Sequence, residues 1–392
     1  MWYNNRNAAI VRLDRLIQRR KFGKGAISIL RIWYNHTMCG ENLTTKTVLQ
    51  DLPGPLLAWY RANARDLPWR RTTDPYQIWV SEIMLQQTRV AAVLGYYARF
   101  LETFPTVEAF AAAPEERLMK LWEGLGYYSR ARNLQKAARI VAEQGGRFPD
   151  TYQDLLALPG VGDYTASAIA SAAFGRREAA VDGNVLRVAA RVTGDEGDIA
   201  APATKKRVTA ALAEIIPLDA PGDFNQAMME LGATVCLPNG APLCDLCPAR
   251  AFCTARLTGR TGQLPVKAAK KARRVEERTV FLIFHENRVA LRRRPGRGLL
   301  AGLWEYPNEL SPAGDALARW GIAPASLRSA GTGKHIFTHI EWRMSALAAE
   351  AGSPALPEGW VWADRAALAR EYAVPNAFQP FQGAVEERLG HF

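Results

Sequence analysis

Residues 158–175, LPGVGDYTASAIASAAFG, constrain the fold more than any other stretch of this chain. Gly160 and Gly162, on either side of Val161, permit a tight turn with no side chain in the way. The small residues that follow predict a helix that packs closely on a neighbour, with residues 151–158 as the expected neighbour. Backbone N–H groups at the start of that helix would point outward and form a phosphate site. An ordinary pair of antiparallel helices is the alternative.

The charge balance points to an acidic polymer as partner. The chain has 50 Lys and Arg against 38 Asp and Glu, a formal net charge of +12, and nucleic acid is a more common partner of such a surface than a membrane. No apolar run approaches the roughly 18 residues of a spanning helix, and the N-terminus lacks the pattern of a secretory signal. We therefore expect a cytoplasmic, nucleoid-associated monomer that binds DNA and no membrane.

The hydrophobic pattern divides the chain into regions with different secondary structure. Apolar residues recur every three or four positions over 49–255, which predicts an all-α domain of about ten helices. Residues 256–276 are basic and weakly patterned, as in a linker, and short β-rich runs with one helical piece over 277–392 predict a small α+β domain. Residues 1–48 read as a disordered basic arm, unless translation starts at Met38. The predicted fold class is multi-domain, all-α followed by α+β.

Four of the five cysteines lie within 18 residues near the end of the helical region. Cys236, Cys244, Cys247 and Cys253 have the spacing C-x7-C-x2-C-x5-C, which suits metal binding better than a disulfide framework. We expect one 4Fe–4S cluster here. A zinc site is the alternative, although zinc sites usually combine two C-x2-C pairs and this loop has one. Four free thiols are the third possibility. The loop is remote in sequence from acid–base candidates, which favours a structural or DNA-contacting role.

Several motifs occur in an order that resembles the helix-hairpin-helix DNA glycosylases, and most closely the adenine DNA glycosylases. They are WVSEIMLQQTRV, GLGYYSRARNL, LPGVGDYT, VDGNVLRV and FNQAMMELG, followed by the four-cysteine loop. The resemblance extends over about residues 50–390. One departure is the first cysteine gap, which is seven residues here and six in the family. The extra residue falls in the turn-rich stretch LPNGAPL, so we expect the cluster to form.

The implied reaction needs two carboxyl groups in different environments. Cleaving a purine N-glycosidic bond requires protonation of the leaving base and stabilisation of a cationic sugar. Glu82 lies among apolar residues, which should raise its pKa and keep it protonated, whereas Asp182 begins a helix, where the ionised form is favoured. A solvated or ion-paired Glu and a plain N-cap are the alternatives. The resemblance implies that Glu82 is the acid at adenine N7, that Asp182 faces the sugar, and that Asn184 orients water or Asp182.

Tyr164 indicates which of two reaction types to expect. Relatives that also cut the strand resemble this chain around the hairpin but carry a lysine at this position, whose amine forms a Schiff base with the sugar. A phenol cannot form that imine, so we predict a monofunctional enzyme that leaves an abasic site. The resemblance further suggests that Tyr164 forms a hydrogen bond near Asp182, with a simple packing role as the alternative.

Base removal also requires that the target base leave the duplex. By resemblance, Gln87 and Thr88 probe the opposite strand, Leu125 and Tyr127 form the intercalating wedge, and Gly160, Val161 and Gly162 grip a phosphate. Ordinary core and helix-surface positions are the alternatives. The residues that correspond to the family's adenine pocket are Arg65, Leu67, Trp69 and Gln226.

The C-terminal region resembles a Nudix domain through GLLAGLWEYPN. Working Nudix hydrolases carry an R-E-x-x-E-E helix that holds divalent metal, but this chain reads GDALARWGI, with Asp315 as its only acid. Pyrophosphate hydrolysis is therefore not expected. The family uses this domain to recognise 8-oxoguanine through a Phe-Ser-His loop, here Phe337, Thr338 and His339, unless FTH is only a strand edge.

Together these features predict a base excision repair enzyme that removes adenine from double-stranded DNA with A:8-oxoG or A:G mispairs. The added methyl of Thr338 puts its fit to 8-oxoguanine in question. A thymine or other mismatch glycosylase is the rival enzyme, and a catalytically silent lesion binder is the rival from another class. Nothing in the sequence indicates a protein partner.

Overall fold

The computed structural model describes residues 48–268 and 272–390. The predicted basic arm up to residue 47, with the question of a start at Met38, lies outside the described residues. The described chain forms two compact units: the first combines residues up to Arg65 with Val181–Lys267, and the second combines Asp66–Ala180 with residues from Ala268 onward. The predicted helical region therefore contributes to both units, and the α+β region shares the second unit with residues Asp66–Ala180.

The helical prediction is confirmed over the described residues before the sheet. Proline in the first turn begins four of these helices, and Thr106, Thr151 and Asp182 cap others through their side chains. The helices are α1 Pro53–Asn63, α2 Pro75–Leu85, α3 Val90–Thr103, α4 Val107–Ala111, α5 Glu115–Trp122, α6 Ser129–Glu143, α7 Tyr152–Leu156, α8 Asp163–Phe174, α9 Gly183–Thr193, α10 Pro202–Ile215, α11 Pro221–Thr234 and α12 Thr254–Leu257.

The second unit contains a seven-stranded mixed sheet in the order β3-β2-β1-β6-β5, with β4 paired to β1 and β7 to β2. Strands β1 and β6 are parallel and the other pairs are antiparallel. The strands are β1 Arg274–His285, β2 Arg288–Arg293, β3 Trp304–Glu305, β4 Asn308–Leu310, β5 Pro324–Ile336, β6 Ile340–Ala351 and β7 Trp360–Ala363, with helices α13 Ala316–Arg319, α14 Arg365–Arg370 and α15 Gln382–Arg388. This confirms the α+β prediction, although α14 and α15 were not expected.

Alternation along β1 explains why the sheet is covered on both faces. Val280, Leu282 and Phe284 belong to one buried cluster, and Phe281 and Ile283 belong to another, because successive strand side chains point to opposite faces. A third buried cluster fills the helical part of the second unit, and it includes Leu303 and Ala373 from the C-terminal part. The sheet and these helices therefore share a core within the second unit.

The region predicted as a linker is partly folded. Leu264 is 2% exposed and its carbonyl accepts a 2.8 Å hydrogen bond from Arg191 Nε, while the Ile199 N–H donates to the Val266 carbonyl at 3.1 Å. Strand β1 already begins at Arg274. Basic composition suggested an exposed tether, but a single buried leucine and backbone hydrogen bonds hold the first half of this segment in the first unit.

Within the described ranges, no helix is long and apolar enough to cross a membrane.

Candidate functional site

The glycine hairpin joins α7 to α8 as the sequence predicts. Gly160 has φ +78°, and an added Cβ would lie 2.6 Å from Asn133 Cβ, so both the turn and the close approach to α6 require glycine. Gly162 is the N-cap of α8 in an ordinary extended conformation, φ −103°, with open space where a Cβ would stand. Because Gly162 has no side chain, it offers no capping group to the first turn of α8. The geometry fits an approaching phosphate.

Helix α8 brings a phenol to a buried carboxyl group. Its small residues pack against α7 and more extensively against α2, so the expected neighbour was incomplete. Glu82, on α2, is 3% exposed, and Tyr164 in the first turn of α8 donates a 2.8 Å hydrogen bond to Glu82 Oε2. Gln86 Nε2 donates to Thr165 Oγ1 at 3.3 Å across the same pair of helices. A hydrogen bond of Tyr164 near Asp182 stays a prediction, and its contact with Glu82 was not predicted from the sequence.

Asp182 caps α9 in the first unit. Its Oδ1 accepts a 2.8 Å hydrogen bond from the Val185 N–H, and its Oδ2 accepts one of 2.7 Å from Asn184 Nδ2. Both carboxylate oxygens are thus held by donors, and one of them is at a helix N-terminus, where negative charge is favoured. Asn184 thus contacts Asp182, and its role in orienting that carboxylate or a water stays a prediction.

Arg187 connects this cap to the cysteine loop and was missed by the sequence reasoning. The side chain is 7% exposed. Its Nη2 donates to Asn184 Oδ1 at 2.9 Å and to the Gly232 carbonyl at 2.7 Å, and its Nε donates to the Cys236 carbonyl at 2.8 Å. The available signal was the position of this arginine between the apolar residues Leu186 and Val188.

The four predicted cysteines line one small cavity of about 20 Å³. Arg191 Nη1 lies 3.3 Å from Cys236 Sγ. Burial raises the pKa of Cys247 to about 12 and also raises the pKa of Cys244 and Cys253, with the neighbouring cysteines adding to each shift. Thiolates in this cavity therefore need a cationic group to stabilise them. In the part of the chain that the structure describes, no three His, Cys, Asp or Glu side chains are placed to hold a single metal ion.

Two exposed turns of the second unit carry residues predicted to probe DNA. Gln87 follows α2 with φ +60°, and Tyr127 has φ +48° and is 49% exposed. Tyr127 belongs to the loop of residues 123–128 between α5 and α6, here called the wedge loop. Thr88 lies beside Gln87, with its N–H bonded to the Leu85 carbonyl at 3.1 Å. A positive φ at a non-glycine residue is costly, so both turns must be held by their surroundings.

Arg130 holds both turns and was not predicted. Its Nη1 donates at 2.6 Å to the carbonyls of Ile83 and Gln86, and its Nη2 donates to the carbonyls of Leu125 at 3.0 Å and Gly126 at 3.1 Å. Burial lowers the pKa of Arg130 to about 10. One guanidinium thus ties the end of α2 to the wedge loop.

Three predicted contact residues are buried. Leu125 is 6% exposed and packs in the helical core, whereas Tyr127 is presented to solvent. The assignment of both to the wedge stays a prediction. Leu67 and Trp69 are each 4% exposed, and Trp69 makes an edge contact with Tyr97 at 5.3 Å between centroids. In this structure these three side chains serve the core.

The other two residues of the predicted adenine pocket belong to the first unit. Arg65 Nε and Nη2 each donate to Glu230 at 2.7 Å, and the Glu230 side chain is fully buried. The ion pair raises the pKa of Arg65. Glu230, four residues after Gln226 on α11, was missed although both are on FNQAMMELG. Its role here is to fix the Arg65 guanidinium.

The predicted lesion loop connects β5 and β6. Phe337 packs between His335 and Trp342, at ring-centroid distances of 4.6 and 4.9 Å, while Thr338 and His339 are exposed. The Thr338 hydroxyl lies 3.3 Å from the Tyr127 hydroxyl, so within the second unit this loop meets the wedge loop. The FTH segment is thus a strand-connecting loop.

Comparison with known proteins agrees with these features. Residues 80–218 match the HhH-GPD superfamily of base excision DNA repair proteins, and residues 279–382 match the NUDIX domain. Adenine DNA glycosylase from Homo sapiens is 37% identical over 403 residues, covering 84% of this chain and 74% of the relative. The Rattus norvegicus enzyme is 37% identical, covering 76% and 71%, and that of Buchnera aphidicola subsp. Baizongia pistaciae is 36% identical, covering 64% and 72%. The chain belongs to the adenine DNA glycosylases, enzymes of base excision repair.

Proposed function

We propose that this glycosylase is monofunctional and hydrolyses the N-glycosidic bond of adenine mispaired with 8-oxoguanine or guanine in double-stranded DNA. The observation that carries the monofunctional part is the contact of Tyr164 with Glu82. The position occupied by a Schiff-base lysine in strand-cutting relatives here holds a phenol that donates to a buried carboxyl group at 2.8 Å. A phenol has no amine to form an imine with the opened sugar, so water is the nucleophile.

Two carboxyl groups have separate roles in this proposal. Glu82 protonates the leaving adenine, and Tyr164 orients it by fixing one carboxyl oxygen. Asp182 stabilises the positive charge that develops on the sugar, with both oxygens held in place by Val185 and Asn184. The difference in their surroundings supports the assignment, because Glu82 is buried on an apolar helix whereas Asp182 is half-buried at a helix N-terminus.

We also propose that the cysteines Cys236, Cys244, Cys247 and Cys253 hold one 4Fe–4S cluster. All four line one cavity, and three of them have raised pKa values that a cationic cluster would counteract. When bound, the cluster would cross-link residues 236–253 through iron–thiolate bonds. Iron and sulfide analysis of the purified chain tests this, and stoichiometric zinc would contradict it.

Recognition of 8-oxoguanine is assigned to the exposed Thr338 hydroxyl. That hydroxyl can accept a hydrogen bond from the N7–H that only the oxidised base carries. Two observations support this assignment. The Phe337–His339 loop is exposed at Thr338, and Thr338 contacts Tyr127, the one predicted wedge residue that is presented to solvent. A cytoplasmic, nucleoid-associated location and a monomeric state remain predictions, the second of which light scattering after gel filtration will check.

The experiment uses duplexes with A opposite 8-oxoguanine, A opposite G, and T opposite G. We expect adenine release from the first two, strand breaks only after alkali, and no complex trapped by borohydride. Glu82→Gln should bind the first duplex without releasing adenine, while Glu102→Gln, an exposed carboxylate on α3, should act as wild type. Release of thymine alone would support a different mismatch enzyme, and breakage without alkali would refute the monofunctional assignment.

A further inference from the structure

Lys120, at the end of α5, links the helical and sheet parts of the second unit. Its Nζ donates to Glu123 Oε2 at 2.6 Å, to the Leu368 carbonyl at 2.6 Å and to the Tyr372 carbonyl at 3.2 Å. The ammonium group has three donors, and each of them has an acceptor. Its side chain is 16% exposed, so solvent screens these bonds less than at an open surface.

Glu123 completes this link from the first position of the wedge loop. While Oε2 accepts from Lys120, Oε1 accepts a 2.7 Å hydrogen bond from the Val374 N–H. The next residue is held too, because the Gly124 carbonyl accepts from Asn376 Nδ2 at 3.0 Å. On the helical side, Tyr96 donates to the Glu123 carbonyl at 2.7 Å. The base of the wedge loop is therefore bonded to residues 368–376 of the C-terminal part.

The apex of the wedge loop meets the C-terminal part a second time. Tyr127, four residues after Glu123, lies 3.3 Å from Thr338 through their hydroxyls. Leu303 and Ala373 add apolar contact, since both are buried in the helical core. The wedge loop is thus held at its base by charged and backbone contacts, and its exposed end meets the loop proposed to read the lesion.

We propose that Lys120 and Glu123 are positioning residues that set the preference for 8-oxoguanine over guanine, by fixing the wedge loop relative to the Phe337–His339 loop. This inference rests on the proposed function. Neither residue belongs to the set assigned to catalysis or base contact, and both act through Tyr127 and Thr338. Excision of adenine opposite guanine needs no contact to an oxidised base, so it should depend less on this link.

The test measures single-turnover adenine release from A:8-oxoG and A:G duplexes for Lys120→Met, Glu123→Ala and the double variant Lys120→Met/Glu123→Ala. We expect the A:8-oxoG rate to fall about 10- to 100-fold, as misplaced binding groups commonly cause, with the A:G rate within about threefold of wild type. The double variant should lose no more than either single variant, because the two residues act as one unit. Lys120→Arg should restore part of the preference.

The controls separate this role from a loss of folding. Asp315→Asn removes a carboxylate of the same C-terminal part that pairs with Arg319 in its own short helix, and it should keep the wild-type preference. Asn376→Ala, at an exposed position, removes only the bond to the Gly124 carbonyl and should lower the preference several-fold even if the charged variants fail to fold.

The outcomes of this experiment distinguish failure of the positioning role from failure of the proposed function. Suppose that wild type prefers A:8-oxoG. If the folded variants keep that preference, or if their rates of adenine release from the two duplexes fall equally, the positioning role is refuted and the proposed function stands. If wild type releases adenine equally from both duplexes, the lesion part of the proposed function is refuted, and the positioning role with it.

Discussion

Gly160 and Gly162 allow a test of the predicted phosphate site, because the turn requires glycine at only one of the two positions. Gly160 has φ +78° and no room for a Cβ, whereas Gly162 has φ −103° and open space in that direction. Replacing each with alanine adds the same methyl group at positions two residues apart. Gly160→Ala therefore tests the turn, and Gly162→Ala tests access to the N–H groups of α8.

The two substitutions should change the free energy of unfolding by different amounts. At Gly160 the left-handed backbone costs about 1 kcal/mol for a residue with a Cβ, and the 2.6 Å approach to Asn133 Cβ adds an overpacking cost of about 1–3 kcal/mol. Gly160→Ala should thus lower the free energy of unfolding by about 2–4 kcal/mol. At Gly162 a lost N-cap preference of several tenths of a kcal/mol opposes a similar gain from the less flexible unfolded chain. We expect a net change below about 0.5 kcal/mol.

DNA affinity should follow a different pattern. The methyl of Gly162→Ala would enter the open space in which we place the phosphate, so we expect about 5- to 10-fold weaker binding and a shallower salt dependence by about one phosphate contact. Fluorescence anisotropy with an undamaged duplex at several salt concentrations measures both, and urea unfolding measures stability. Unchanged affinity and salt slope in a stable Gly162→Ala protein would refute the phosphate site at α8.

Four further predictions follow from the site. Tyr164→Lys should give a borohydride-trapped complex with DNA that wild type does not form, whereas Tyr164→Phe should slow adenine release about 3- to 10-fold through loss of its bond to Glu82. Arg187→Met should lower the free energy of unfolding by about 3 kcal/mol, measured by urea unfolding, because it leaves buried acceptors unpaired. Cys247→Ser should abolish the visible absorption of an iron–sulfur cluster, and an unchanged spectrum would contradict its assignment as a ligand. Thr338→Val should reduce the preference for A:8-oxoG about tenfold while Thr338→Ser keeps it, as single-turnover rates will show.

Local sequence rules predicted much of the fold because they act over few residues. Asp182 caps its helix where the pattern placed it, Gly160 has the positive φ that its turn implied, and β1 alternates between two buried faces. The number of helices was harder to predict. Residues 86–89 separate α2 from α3 without a proline or glycine, so the two helices read as one segment, and α12 has only four residues.

Contacts between distant segments could not be predicted by such rules. Arg130 reads as an ordinary exposed helix residue in SRARNL, yet it bonds carbonyls of residues 83–86, which only the packing of α6 on α2 brings near. Leu125 and Tyr127 share one short motif, but a single loop conformation buries the leucine and exposes the tyrosine. The resemblance named both without distinguishing them, because exposure depends on φ at Tyr127 and on the Arg130 contacts.

The N-termini of α8 and α9 both favour negative charge, but the group that supplies the charge differs between them. At α8 the N-cap is a glycine, which offers no capping side chain, and a helix N-terminus of this kind can bind an external anion. At α9 the N-cap is Asp182, whose own carboxylate takes that place and is fixed by Val185 and Asn184. From the sequence alone, a plain N-cap is an alternative to a functional Asp182. The two are compatible, because the cap is what holds a carboxylate in one orientation at a site that favours negative charge.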